Sequence, residues 1–90
     1  MAERVARGLV RDRERLWALA PGGSAERPID VTSSAVIEVK ARATPCPQCE
    51  GTLRLEDHQA VDAALRKLDV RCVLCGVPRS LYFRIVPTTN

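Results

Sequence analysis

Aromatic residues, histidine and long apolar runs are scarce in this sequence. Its 90 residues include three aromatic side chains, Trp17, Tyr82 and Phe83, and one histidine, His58. So few aromatics leave little surface for stacking on unpaired bases. No stretch reaches the roughly 18 consecutive apolar residues that a membrane-spanning helix requires. The N-terminal segment is rich in Arg and Glu and lacks the apolar centre of a signal peptide, so we expect a cytoplasmic protein without membrane contact.

A recognisable set of catalytic residues is also missing. Asp57, Asp62 and Asp69 do not form a paired-carboxylate pattern, and Ser80 has no partner that the sequence indicates. A hydrolytic site would need a general base within reach of the reacting group. We interpret His58 as a solvated loop histidine rather than as a base or a metal ligand. The sequence therefore predicts a protein that is not an enzyme and has no small-molecule substrate.

The cysteines that the chain does have fall in two pairs separated by 22 residues. These pairs are Cys46-Pro47-Gln48-Cys49 and Cys72-Val73-Leu74-Cys75. Each pair can present two thiolates to one ion, and four thiolates close a tetrahedral shell of the structural-zinc type. Such a shell leaves no open position for catalysis. We therefore predict one structural zinc ion bound by Cys46, Cys49, Cys72 and Cys75.

Two other interpretations of the cysteines stay open. Two disulfides would suit a secreted protein, whereas the expected cytoplasmic location keeps thiols reduced. The same four thiolates hold iron in rubredoxin-like electron carriers, so the number of ligands does not exclude iron. Those carriers are generally acidic and rich in aromatics around the metal, but this chain has a net charge of +3 and 3% aromatic residues. Zinc is accordingly the preferred metal.

The N-terminal segment, residues 1–20, predicts an amphipathic helix. The segment contains no proline, and its apolar residues recur at spacings near four and seven. Acidic and basic residues alternate on the other side, as on a solvated helix face. We expect Leu9, Leu16 and Trp17 to form a docking face. Its partner would be this chain's own strand, at Ile37 and Val39, or another protein or a second copy.

A loop at residues 21–28 separates this helix from a predicted β-rich domain at residues 29–86, and a short tail follows at 87–90. Apolar and polar residues alternate closely after the loop, so residues 35–43 are predicted to be a regular strand. Residues 57–67 have helical spacing and are expected to form a short helical or disordered excursion. Further strands are predicted at residues 52–56, 68–72 and 77–86.

The cysteine pairs and their flanking strands resemble the zinc-ribbon group of small, metal-stapled β modules. The matching parts are the two pairs, Leu53-Arg54-Leu55, Gly76 and Tyr82-Phe83-Arg84-Ile85, within residues 44–86. This resemblance implies an antiparallel zinc-ribbon sheet stapled by one zinc ion. The N-terminal helix and an added strand match no family, and together with the ribbon they lead us to expect a small α+β protein. Two departures are a long insert between the pairs and Glu50, which stands where many ribbons carry glycine.

Zinc ribbons serve transcription, translation, RNA modification and protein assembly, so the resemblance implies an architecture rather than a task. We expect a non-enzymatic protein–protein interaction or assembly module that uses the N-terminal helix. The alternative is a nucleic-acid-binding ribbon associated with transcription or RNA, with Arg54, Arg71 and Arg84 as phosphate contacts. Acidic residues interrupt every basic run, which favours the interaction module.

Overall fold

Two α-helices, one 3-10 turn and four strands occur within residues 2–87. The computed structural model describes these residues, with side chains from Gly8 onward. In chain order the elements are α1 (Ala2–Leu19), β1 (Ile29–Val31), the 3-10 turn (Ser34–Val36), α2 (Ile37–Ala43), β2 (Leu53–Ala60), β3 (Leu65–Cys72) and β4 (Pro78–Ile85). α1 coincides with the predicted N-terminal helix. Of the predicted tail, residues 88–90 lie outside the described residues.

The strands form one open, mixed sheet in the order β1-β4-β3-β2. β2 pairs antiparallel with β3, and β3 pairs antiparallel with β4. β1 runs parallel to β4 at the edge of the sheet. The chain is therefore a small α+β protein, as expected, and a three-residue parallel strand, β1, stands in place of the longer added strand that was predicted. The sheet as a whole is mixed rather than antiparallel.

One face of the sheet carries the apolar core and the other face is polar. Residues paired across strands share a face, and successive residues of a strand alternate between faces. Arg54, Arg71 and Arg84 all fall on the polar face by this register. The buried core consists of Val31, Ile37, Ala41, Cys46, Leu53, Leu68, Val70, Cys72, Leu81 and Phe83. Because two cysteines belong to it, the core and the candidate metal site are one structure.

The strand predicted at residues 35–43 is wrong, because this segment forms the 3-10 turn and α2. The Ser33 hydroxyl accepts a hydrogen bond from the Ala35 N–H at 3.1 Å and starts the turn. Ile37 and Ala41 are buried, whereas Val39 is 65% exposed. A spacing of four residues places two side chains on one helix face, and strand alternation contains the same spacing. The apolar pattern was therefore compatible with both structures.

The helical or disordered excursion predicted at residues 57–67 is also wrong. β2 continues to Ala60, β3 begins at Leu65, and the two strands form a hairpin. Asp62 closes the turn between them, since its Oδ1 accepts hydrogen bonds from the Ala64 and Leu65 N–H groups at 2.8 and 2.7 Å. These bonds, from Leu65 first, hold the pKa of the Asp62 carboxyl below its usual value. Backbone pairing between β2 and β3 thus decides the structure of this segment, although its apolar residues also have helical spacing.

Substitutions in α2 test this correction directly. Ile37→Ala is expected to lower the free energy of unfolding by about 2–5 kcal/mol, because it removes a fully buried side chain. Val39→Ala is expected to change it by less than about 1 kcal/mol, since Val39 is exposed and alanine favours helix. Denaturant unfolding at a fixed metal concentration measures both. Equal losses of unfolding free energy at the two positions would instead support the strand, in which Ile37 and Val39 lie on the same face.

Candidate metal centre

The four cysteines lie in two turns with the same backbone hydrogen bonds. In the first knuckle, residues 46–51, the Cys46 N–H donates to the Gly51 carbonyl at 2.9 Å, and the Glu50 N–H donates to the Cys46 carbonyl at 2.8 Å. In the second knuckle, residues 72–77, the Cys72 N–H donates to the Val77 carbonyl at 3.2 Å, and the Gly76 N–H donates to the Cys72 carbonyl at 3.0 Å. Two copies of one local fold therefore face each other.

The residue after the second cysteine of each knuckle has left-handed backbone. Gly76 has φ +75° and Glu50 has φ +62°. Glycine adopts this region without a steric penalty, whereas other L-residues are strained there. Gly76, which directly follows Cys75, adopts this conformation freely. Glu50, noted from the sequence as a departure, occupies the equivalent position and places the strain in the first knuckle.

The four sulfur atoms converge at one point between the knuckles. All lie within 4.8 Å of one another. The Cys46 and Cys75 sulfurs are 3.8 Å apart, and those of Cys49 and Cys72 are 3.3 Å apart. A tetrahedral zinc–thiolate shell has Zn–S bonds of about 2.3 Å and hence sulfurs about 3.8 Å apart. The four cysteines are free thiols placed to bind one metal ion.

Each knuckle contributes one buried and one exposed cysteine. Cys46 and Cys72 are buried, at 1% and 2% exposure, whereas Cys49 and Cys75 are exposed. The inner pair continues the apolar core, and the outer pair faces solvent. A metal ion held by all four would therefore lie at the margin of the core, with its outer side open to water.

Two backbone N–H groups point at one of the four sulfurs. The N–H groups of Cys75 and Leu74 approach the Cys72 sulfur at 3.5 and 3.4 Å. These bonds, from Cys75 first, lower the pKa of the Cys72 thiol to about 6. The Gly51 N–H lowers the pKa of Cys49, but the Cys72 sulfur and the other two thiols outweigh it and raise that pKa to about 12. Ionisation of one thiol thus disfavours ionisation of its neighbours. Metal ligands must be deprotonated, and the positive charge of a bound cation would stabilise the four thiolates.

Gly51 permits the close contact between the knuckles. A Cβ atom at this position would lie 2.9 Å from the Cys72 sulfur and 3.0 Å from Leu74 Cδ1. Real Cβ contacts are not that short, so a larger residue would displace the second knuckle. Glycine here is therefore a requirement of the sulfur geometry.

Two polar residues singled out from the sequence have different surroundings from those expected. His58 lies on β2 rather than in a solvated loop, with its side chain 22% exposed and its Nδ1 3.8 Å from Glu38 Oε1. It is not a member of the cysteine cluster. Ser80 has a partner that the sequence did not indicate, since its hydroxyl donates to Asp69 Oδ1 at 3.0 Å.

The predicted docking residues separate into two environments. Trp17 packs against the core, and the Arg79 guanidinium lies 5.1 Å from its ring centroid. Leu9 and Leu16 are 50% and 67% exposed. Together with the exposed Leu19 they form what we call the leucine stripe. The helix thus contacts its own sheet through one side while the leucine stripe faces solvent.

A polar network that the sequence did not reveal joins α1 to the metal site. Arg79 of β4, with its side chain 3% exposed, donates two hydrogen bonds of 3.0 Å to the Glu14 carboxylate. The Gln48 side chain, within the first knuckle, donates to Glu14 Oε2 at 2.6 Å and to the Val10 carbonyl at 3.0 Å. The partners are distant in sequence, and the one local signal was a polar residue between two cysteines of the candidate metal site.

The three candidate phosphate-binding arginines share a face but not one patch. Arg54 and Arg71 are directly opposite each other on β2 and β3. Arg71 is also bonded to Glu56, at 3.3 Å, and to the Gly76 carbonyl, at 2.9 Å. Arg84 pairs with Leu65 at the other end of β3, about 20 Å away at the usual rise per strand residue.

No protein-family model, curated protein or solved structure matches this chain. Among the described residues, no helix is long and apolar enough to cross a membrane. The functional interpretation therefore depends on the geometry of the site itself.

The two left-handed positions give a paired prediction. Gly76→Ala is expected to lower the free energy of unfolding by about 1 kcal/mol, because the added methyl meets no atom within 4 Å and only the backbone is strained. Glu50→Gly is expected to raise it by up to about 1 kcal/mol by removing the equivalent strain. Chemical unfolding of the metal-loaded variants measures both. A loss of stability in Glu50→Gly would show that the Glu50 side chain makes a contact worth more than the strain.

Proposed function

We propose that this chain is a non-enzymatic, zinc-stapled module for protein–protein interaction or assembly, built like a zinc ribbon. The observation that carries the metal assignment is the convergence of four free thiols from two matching knuckles. A shell of four thiolates suits zinc or iron and gives a closed, structural site. The absence of a base among the four converging groups supports a structural role.

The metal would contribute directly to folding. A chain of this size buries a limited core, and here two of the core residues are the inner cysteines. In four neighbouring thiols without a cation, each ionised sulfur disfavours ionisation of the others, because like charges repel. Binding a dication would convert this unfavourable cluster into a link between residues 46 and 75. Metal binding and folding are therefore expected to be coupled.

Elemental analysis of the purified protein tests the metal. We expect about one zinc per chain, since four thiolates complete one tetrahedral shell. Cys72→Ser should lose the zinc and most of the β signal in circular dichroism, whereas the control His58→Ala should keep both. Stoichiometric iron would replace this assignment with a rubredoxin-like carrier. A native-like spectrum of the metal-free protein would show that the sheet does not need the metal.

The leucine stripe supports the interaction role. Leu9, Leu16 and Leu19 are each at least half exposed while α1 contacts the sheet through Trp17. We propose a second copy of this chain as the occupant, because the stripe is self-complementary. In an antiparallel helix pair, Leu9 would lie opposite Leu16 of the second copy, so apolar side chains would meet apolar ones.

Sedimentation velocity over a concentration series tests this assembly. We expect reversible dimers of the full chain, and a strong loss of association in Leu9→Ser plus Leu16→Ser. The matched control is Val39→Ser, which changes a side chain of similar exposure on α2. Monomers at every concentration, or equal association in both variants, would contradict self-association through the stripe.

Nucleic-acid binding is the second candidate, and one observation favours it. Arg54 and Arg71 line a cavity of about 260 Å³ beside the second knuckle. Like charges directly opposite each other on a sheet are unfavourable, and an anion would stabilise them. Glu56 already partly neutralises Arg71, and Asp69 lies on the same face, which weakens the case. Binding through these guanidiniums would decrease steeply with salt, unlike the apolar contact of the helix.

A further inference from the structure

We propose that metal binding at the cysteines controls the docking of α1, with Gln48 as the connecting residue. The inference rests on the proposed metal site and concerns its regulation. Gln48 lies between Cys46 and Cys49, so a metal bound by both sulfurs would fix its backbone. From this position Gln48 contacts three residues of α1, Val10, Arg13 and Glu14, which lie within about one helical turn.

The contacts of Gln48 account for much of the polar attachment of α1. Its side-chain amide donates to the Val10 carbonyl at 3.0 Å and to the Glu14 carboxylate at 2.6 Å. Its backbone carbonyl accepts a hydrogen bond from Arg13 Nη1 at 3.0 Å. Side chain and backbone are both engaged, so a change in the knuckle's conformation cannot be absorbed by rotating one bond.

Glu14 extends this connection from the knuckle to the sheet. Its carboxylate accepts from Gln48 and also from both terminal nitrogens of Arg79. The Arg79 hydrogen bonds, followed by the one from Gln48, hold the pKa of Glu14 below its usual value despite partial burial. Glu14 is therefore ionised at neutral pH. A buried guanidinium that lost this carboxylate would be left without its ion-pair partner, which is unfavourable.

Apolar packing alone would hold α1 weakly. Among the α1 side chains from Gly8 onward, Trp17 is the apolar one that packs against the core, while the leucine stripe remains exposed. Docking therefore depends on Trp17 together with a few hydrogen bonds that share Gln48 and Glu14. The first knuckle is also the one with a strained left-handed residue, Glu50. A bound metal ion that holds this knuckle in place would therefore keep Gln48 in contact with α1.

Coupling of this kind is reciprocal. If metal binding favours docking, then the docking contacts must increase metal affinity by the same factor. Gln48 is not a ligand, so its removal leaves the four sulfurs in place. A loss of metal affinity in a Gln48 variant would consequently report the coupling rather than the shell itself.

The chain's single tryptophan, Trp17, provides the measurement. Acrylamide quenching reports its accessibility in the zinc-loaded full chain, and competition with a chromophoric chelator gives the zinc affinity. In Gln48→Ala we expect greater Trp17 quenching in the zinc-loaded state and a zinc affinity lower by about fivefold or more. Gln48→Leu, which keeps the volume but removes the amide, should behave alike. Circular dichroism confirms that the sheet is retained in both.

The matched control is Gln59→Ala on β2, where the glutamine amide bonds only to Asp57, at 2.7 Å. It should match the wild-type chain in quenching and in affinity. Zinc bound with wild-type affinity and unchanged Trp17 quenching in both Gln48 variants would overturn the coupling and leave the metal site intact. Failure of the wild-type chain to bind zinc would instead overturn the proposed function and this inference together.

Discussion

The convergence of four sulfurs from two knuckles is the constraint on which the rest of this structure depends. Cys46 leads into β2, and Cys72 ends β3 just before the turn to β4, so their meeting fixes how three strands begin and end. The inner sulfurs are also members of the apolar core. In a small chain, a metal link between distant residues would restrict the unfolded state much as a disulfide does, in addition to the bond energy itself. Core packing and metal binding would then stabilise the same contacts.

The knuckles share a backbone pattern, but their surroundings differ. The first knuckle packs against α1 through Gln48 and tolerates the unfavourable conformation of Glu50. The second has the glycine that its geometry favours, and it presents Val73 and Leu74 to solvent at 56% and 74% exposure. Strain is thus found in the knuckle that also contacts α1. The contacts to α1 provide stabilising free energy that offsets such strain.

Sequence reasoning predicted that the four cysteines lie together because the signal is local: the spacing within each pair determines which sulfurs can share an ion. It identified α1 and parts of the later strands from periodicity. It failed at α2 because the spacing of Ile37 and Ala41 is compatible with both a helix and a strand. It failed at the hairpin because Asp62 closes a turn whose sequence contains few typical turn residues. The Glu14–Arg79 ion pair joins residues 65 positions apart, and nothing in either local sequence indicates it.

The two surfaces of α1 have consequences for how assembly would respond to metal. Docking buries part of Trp17 but leaves the leucine stripe exposed, so the helix can be attached to the sheet and still meet another helix. Metal would therefore not hide or reveal the stripe. It would set the direction in which the stripe points relative to the sheet, because Gln48 and Glu14 fix the helix at its middle turns. An assembly of metal-loaded chains would have a defined arrangement of sheets around the helix pair.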